Sequence, residues 1–206
     1  LAALPFSLML VLYEREEGNA DENGLNVILQ RHEILKPIDL AVLMEPTNNT
    51  LQLGCLGSIH ARVTFRGRAA HSARPWEGEN AIHKAANLLS TLNEYQPHEV
   101  NIRGLTFREA LSATMAAAGR GWNIIPDTFE ILLNYRFAPV TPLEDGLSGA
   151  RRELERLTAD GELEIVNIAP PGPVPERNPI VDHIRHHGGL AVLPKLASTD
   201  VARLAA

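Results

Sequence analysis

Two apolar runs open the chain, Leu8-Met9-Leu10-Val11-Leu12-Tyr13 and Leu40-Ala41-Val42-Leu43-Met44, and acidic residues follow both. The first leads into Glu16-Glu17-Gly18, and the second closes on Glu45 ahead of Pro46-Thr47. Continuous apolar runs of this length read as strands buried on both faces of a parallel sheet. Between them Leu25, Ile28, Leu29 and His32 recur at helical spacing, which predicts a helix over residues 25–35 that Pro37 ends. Strand, helix, strand is a βα-type unit.

The period changes after Glu45. Residues 50–66 alternate, with Ile59, Ala61, Val63 and Phe65 set against His60, Arg62 and Thr64, the mark of half-exposed strands. A polar loop over 67–78 holds His71, Ser72, Arg74, Pro75 and Trp76. Residues 80–92 carry an apolar stripe of Ile82, Ala85, Ala86, Leu88 and Leu89 and read as a helix. Residues 99–117 read as one strand, 123–127 as a turn around Pro126, and 129–137 as an alternating strand. A helix over 143–158 and a strand over 163–168 complete the order β-α-β-β-α-β, the split-βαβ arrangement. Ala169-Pro170-Pro171-Gly172-Pro173 reads as a linker. A short helix over 179–187, a core strand over 190–193 and a loop and helix from Ser198-Thr199-Asp200 follow.

The expected fold is therefore α/β: a partial parallel-sheet domain, residues 1–56 and 171–206, interrupted by an inserted α+β domain over 57–170. A chain that begins inside a core strand suggests a fragment.

Composition narrows the function classes. The 206 residues are 45% hydrophobic, enough for one large core or two small ones. A net charge of −6 argues against a nucleic-acid or anionic-membrane surface. The apolar N-terminus lacks a basic flank and is too short to span a bilayer. Cys55 is the only cysteine, which rules out an internal disulfide and fits a reducing, cytoplasmic compartment. It reads as a small buried apolar residue.

Open α/β sheets bind ligands at the carboxyl ends of their strands. Glu16, Glu17 and Glu45 all fall at such ends, so they suit a cation site or proton transfer. Taken alone, Glu16-Glu17 also fits a solvated acidic turn and Glu45 a capping acid. His71, in its polar loop, could donate to a developing oxyanion or be a surface histidine. Asn123 and Arg136 flank the Pro126 turn and the following strand. An arginine in the apolar stretch Leu132–Phe137 suits bidentate grip of a carboxylate, and also suits an outward edge position. His186 and His187 point about 100° apart on a helix and read as a polar helix end.

Five segments in order resemble a known family. They are Tyr13-Glu14-Arg15-Glu16-Glu17-Gly18, Met44-Glu45-Pro46-Thr47, Gly67-Arg68-Ala69-Ala70-His71-Ser72-Ala73-Arg74-Pro75, Asn123-Ile124-Ile125-Pro126-Asp127 and Asn134-Tyr135-Arg136-Phe137-Ala138-Pro139. The chain is similar to the two-metal amidohydrolases of the aminoacylase and metallopeptidase type, and its wording is most like their succinyl-diaminopimelate desuccinylase branch. Acetylornithine deacetylases, aminoacylases and glutamate carboxypeptidases are the alternatives within the family.

The resemblance implies hydrolysis of the amide bond of an N-acyl amino acid, in that branch N-succinyl-diaminopimelate, on the route to lysine. It implies two zinc ions, or cobalt, and a homodimer formed through the inserted domain. Glu16 matches the general base, and Glu17 and Glu45 match ligands of the two metals. His71 matches the oxyanion donor that in relatives reaches into the partner subunit's site. Asn123 and Arg136 match the residues that hold the substrate's carboxylate end, and Thr199 falls in the substrate-binding turn. The family's upstream His-x-Asp segment, bridging Asp and C-terminal histidine have no counterpart in these 206 residues. The chain alone is therefore expected to bind zinc poorly and to be inactive. The expectation from another class is a non-catalytic dimerisation module.

Overall fold

The computed structural model describes residues 7–16, 22–35, 37–176 and 178–204. The chain forms two compact units, Leu1–Leu43 and Met44–Ala206.

In the first unit, helix α1 spans Gly24–Arg31. Asn23 caps it, its side chain accepting from the Leu25 N–H at 2.9 Å. A 3-10 turn, Glu33–Leu35, continues it towards Pro37. The helix expected over 25–35 is thus present, with its last turn tightened. The strands expected at 8–13 and 40–44 are not: the described residues there are irregular, and Leu8, Leu10, Leu12, Val42 and Met44 are exposed. A strand persists through ladder hydrogen bonds to a neighbour. Neither run has such a neighbour among the described residues, so its apolar pattern alone does not make it a strand.

The second unit is built on a five-stranded sheet. Its strands are β2 (Gly57–Arg66), β4 (His98–Ile102), β5 (Leu105–Ala118), β7 (Thr128–Phe137) and β8 (Glu162–Ala169), in the order β4-β5-β7-β2-β8. All neighbours run antiparallel. Alternation decides the faces. Ile59, Ala61, Val63 and Phe65 of β2 and Phe129, Ile131, Leu133, Tyr135 and Phe137 of β7 are buried together. Helices α2 (Ala81–Lys84) and α3 (Ala86–Glu94) cover that side with Ala81, Ala85 and Leu88, and α4 (Leu143–Leu157) covers it with Ala150 and Leu154. Glu144 and Asp145 in the first turn of α4 and Arg156 in its last suit the helix dipole. The other face carries Ser58, His60, Asn134 and Arg136.

Without β4, the four remaining strands and the single layer of helices on one face are the split-βαβ arrangement expected from sequence. Two expectations are corrected. Residues 99–117 are two strands, not one. Arg103 and Gly104 both take positive φ, 53° and 83°, and close a two-residue hairpin between Ile102 and Leu105. The Asn101 side chain steadies it by accepting from the Gly104 N–H at 3.2 Å. An arginine in the left-handed region gives no turn signal in sequence. The helix expected over 80–92 is divided at Ala85, whose ψ of 0° interrupts the ladder.

Two smaller sheets flank this core. β1 (Leu51–Cys55) and β9 (Val192–Lys195) pair in parallel, so parallel pairing is present, but through 51–55 and not through the two opening runs. Cys55 is fully buried, and its sulfur accepts from the Gly172 N–H at 3.2 Å, as its reading as a packing residue expects. β3 (Ala70–His71) and β6 (Ile124–Ile125) make a two-residue antiparallel ladder, so the expected turn at 123–127 contains a short strand. Helix α5 (Pro179–Gly188) begins at an Asn178 cap and ends on Gly189 in the left-handed conformation. Helix α6 spans Val201–Leu204.

Candidate functional site

The β3–β6 ladder sets His71 opposite Ile124 and beside Asn123. A backbone bond from the Ser72 N–H to the Asn123 carbonyl, 2.8 Å, locks the two loops together. The Ala73 N–H donates to His71 Nδ1 at 3.1 Å. A ring nitrogen that accepts carries no proton, so in the neutral imidazole the proton sits on Nε2. His71 Nε2 lies 3.4 Å from Asn123 Nδ2, a contact whose donor and acceptor roles depend on the ring's tautomer and the amide's orientation. The Ala73 contact favours the neutral tautomer with its proton on Nε2, and in that form His71 suits donation to a developing oxyanion from its exposed loop.

Arg136 is near the end of β7, paired in register with Ser58 and Ala110. It is half-buried, and its guanidinium donates to Ser198 Oγ at 2.7 Å. Among the described residues no carboxylate pairs with it. Burial lowers its pKa from the usual arginine value. A partly desolvated cation without a carboxylate partner suits an anionic ligand. Thr199 follows Ser198, and its hydroxyl accepts from the Val201 N–H at 3.4 Å, so it shapes the turn into α6. Along the same open face His60 lies 2.8 Å from the Asn134 amide, and its pKa is lowered first by burial and then by Arg136. Sequence reading passed over His60 because it alternates as an ordinary outward strand residue.

His71–Asn123 and Arg136–Ser198 stand at opposite ends of the sheet. Gly67 and Asp127, which lead to the ladder, meet beyond the Arg66–Thr128 pair, whereas Arg136 sits at the Ser58 end. Those two ends of β7 are roughly 27 Å apart at the rise of an antiparallel strand.

The remaining site residues are placed as follows. Glu16 is exposed in a turn of the first unit, and Glu17 lies outside the described residues. Glu45 is ion-paired with Lys195, both side chains largely shielded. Lys195 gave no signal in sequence, since a lone lysine on a short strand reads as a surface charge. Among the described residues no three His, Cys, Asp or Glu side chains gather where a metal could bind. With Glu45 facing an ammonium group, the described residues do not fit a metal pair. A cleft of about 470 Å³ lies between the β4–β5 turn and α5, bounded by the Arg103–Glu176 ion pair at 3.0 Å, and contains none of the expected site residues. No helix among the described residues is long and apolar enough to cross a membrane.

Residues 53–162 match the peptidase dimerisation domain of the M20 family. The chain is 36% identical to the succinyl-diaminopimelate desuccinylase of Corynebacterium glutamicum over 208 residues, 98% of this chain and 56% of that protein. It is 30% identical to the enzyme of the same description from Nitrosomonas eutropha over 174 residues, covering 76% and 43%. The chain thus spans about half the length of the curated relatives it matches. Among solved structures, the aminopeptidase PepT of Bacillus cereus superposes with a TM-score of 0.56 at 15% identity, over 76% of this chain and 43% of that one. At that identity the likeness is one of fold.

Proposed function

Because the chain belongs to the M20 metallopeptidase family, close to its succinyl-diaminopimelate desuccinylases, we propose that the full-length protein hydrolyses the amide bond of an N-acyl amino acid. The substrate we assign is N-succinyl-diaminopimelate, cleaved to succinate and diaminopimelate in the cytoplasm on the route to lysine. The observation that carries the chemistry is the Ala73 N–H bond to His71 Nδ1, which favours a proton on Nε2 and so a donor for the oxyanion of a tetrahedral intermediate. Asn123 orients it. Arg136, held by Ser198 beside the Thr199 turn, takes a substrate carboxylate. Glu16 is the proton carrier in this reading and Glu17 a candidate metal ligand, and Glu45 would serve as the other only on leaving Lys195. The metals are two zinc ions, or cobalt. The domain division is 1–56, 57–170 and 171–206.

The working form is a homodimer. Strand β4 covers β5 only as far as Glu109, so among the described residues 110–118 keep an unpaired edge. From Ser112 to Ala118 this edge is exposed and carries no charge, the kind of edge that accepts another strand. Two copies pairing antiparallel about its middle would set Ala118 of one opposite Ala110 of the other. Ala110 neighbours Arg136, and Ala118 leads towards Asn123. Ala118 of one copy would then lie about two strand spacings, roughly 10 Å, from Arg136 of its partner, and the Asn123–His71 pair of that copy lies beyond Ala118 in the same direction. Such pairing would bring the His71 end of one copy to the Arg136 end of the other.

Two measurements test this reading. The full-length protein is expected to hydrolyse N-succinyl-diaminopimelate at least about tenfold faster, by kcat/KM, than N-acetylornithine or N-acetyl amino acids, a preference of about 1.4 kcal/mol. An acetyl preference would move it to the acetylornithine deacetylase or aminoacylase branch. A full-length protein with no metal by elemental analysis and no hydrolysis would favour the non-catalytic dimerisation module. Met115→Lys, which sets like charges across the paired edges, is expected to leave the chain monomeric at concentrations where the unmodified chain scatters light as a dimer. An unchanged dimer would remove β5 from the interface.

A further inference from the structure

Both tryptophans of this chain flank the His71–Asn123 pair. Trp122 immediately precedes Asn123 and is fully exposed. Trp76 lies on the 3-10 turn Pro75–Glu77, which packs against β3, and is 75% exposed. A tryptophan buries 150–250 Å² when it finds a partner and is among the residue types most enriched at binding hot spots. Two left in water at the sheet end that carries the oxyanion donor call for an occupant.

We propose that Trp76 and Trp122 are docking anchors for a second copy of this chain, and that seating them shields His71 and Asn123 from water. The inference rests on the homodimer reading above and adds the residues that close its site. Three observations favour a second copy. The Trp122 loop, residues 119–123, continues directly from the uncharged free edge of β5, with Arg120 the one charge between Ala118 and Trp122. The charges beside the rings are already neutralised, Arg120 by Asp127 at 2.8 Å and Arg74 by Glu77 at 3.8 Å, which lowers the cost of drying the patch. Two rings from each copy supply about 600–1,000 Å², a large share of the roughly 1,600 Å² that a stable interface buries. Water excluded from this end strengthens the bond from His71 Nε2–H to a developing oxyanion.

Single-tryptophan variants of the chain read each ring separately. As concentration rises through dimer formation followed by light scattering, Trp122 emission in Trp76→Phe is expected to shift to the blue, with acrylamide quenching falling several-fold. Trp76 is expected to behave likewise in Trp122→Phe. Trp122→Ala is expected to raise the dimer dissociation constant about 30-fold or more, while its circular dichroism and its unfolding midpoint as a monomer stay unchanged. A dimer whose tryptophans stay as accessible to quencher as in the monomer, or a Trp122→Ala chain that dimerises as tightly as the unmodified one, would overturn the anchor role and leave the homodimer standing. A chain that stays monomeric throughout would overturn both.

Discussion

Truncating Phe137 to alanine is expected to lower the free energy of unfolding by about 3–5 kcal/mol, the usual cost of removing a fully buried phenylalanine. Phe137 is 1% exposed and belongs to the main core. It is the last residue of β7 and pairs in register with Gly57, the first of β2. Its ring lies on that glycine so closely that a Cβ built at Gly57 would stand 2.3 Å from it. Tyr135 flanks it at 6.5 Å between ring centroids. The glycine and the ring form a knob and a hole, and removing the knob leaves a void that the rigid ladder on both sides cannot close. Urea unfolding checks the size of the loss. A double-mutant cycle checks its origin: Gly57→Ala should cost several times more in the unmodified chain than in the Phe137→Ala background, where the clashing ring is gone. Additive costs would mean that the two residues do not share one site. A given loss sets how much of the ordinary stability of about 5–15 kcal/mol remains.

His71→Ala is expected to reduce kcat of the full-length protein by about 10²–10³ while leaving KM nearly unchanged, since an oxyanion donor binds the transition state and not the ground state. Its folding should be unaffected. His71 is exposed, and the loops around it are held by backbone bonds that the mutation keeps, among them Ser72 N–H to the Asn123 carbonyl. Arg136→Ala should instead raise KM strongly, because a carboxylate is gripped in both states. Mixing the two variants distinguishes one-chain from two-chain sites. If His71 serves the partner's Arg136, half of the randomly formed dimers are mixed and each of those has one intact site. The mixture then regains about a quarter of the unmodified activity. No recovery on mixing would place both residues in the same site of one chain.

The sheet was legible from sequence because large apolar residues recur at every second position of its inner strands. Ile59, Ala61, Val63 and Phe65 are all buried, as are all five odd positions of β7 from Phe129 to Phe137. The opening runs failed because an apolar run states that a segment suits burial, not that a neighbouring strand exists to pair with it. The Arg103–Gly104 turn was missed because its first residue is not a turn former. For the site, the His71–Asn123 pairing was foreshadowed by two motifs 52 residues apart, but the tautomer was not, since it depends on the Ala73 N–H two residues on. The Ser198 support of Arg136 and the Lys195 partner of Glu45 join residues far apart in the chain through tertiary packing, which no local pattern encodes.

The central position of β2 also has a consequence during synthesis. It is the first strand of the five-stranded sheet to be made, yet it pairs on one side with β7 and on the other with β8, which begins roughly 100 residues later. At ribosomal rates of about 5–20 residues per second, the edge that β8 will cover waits on the order of 5–20 s for its partner. Arg62 and Arg66, on its water-facing side, are placed to keep nascent chains from joining through it during that interval, before Glu164 and Glu162 arrive to pair with them at 2.6 and 2.9 Å.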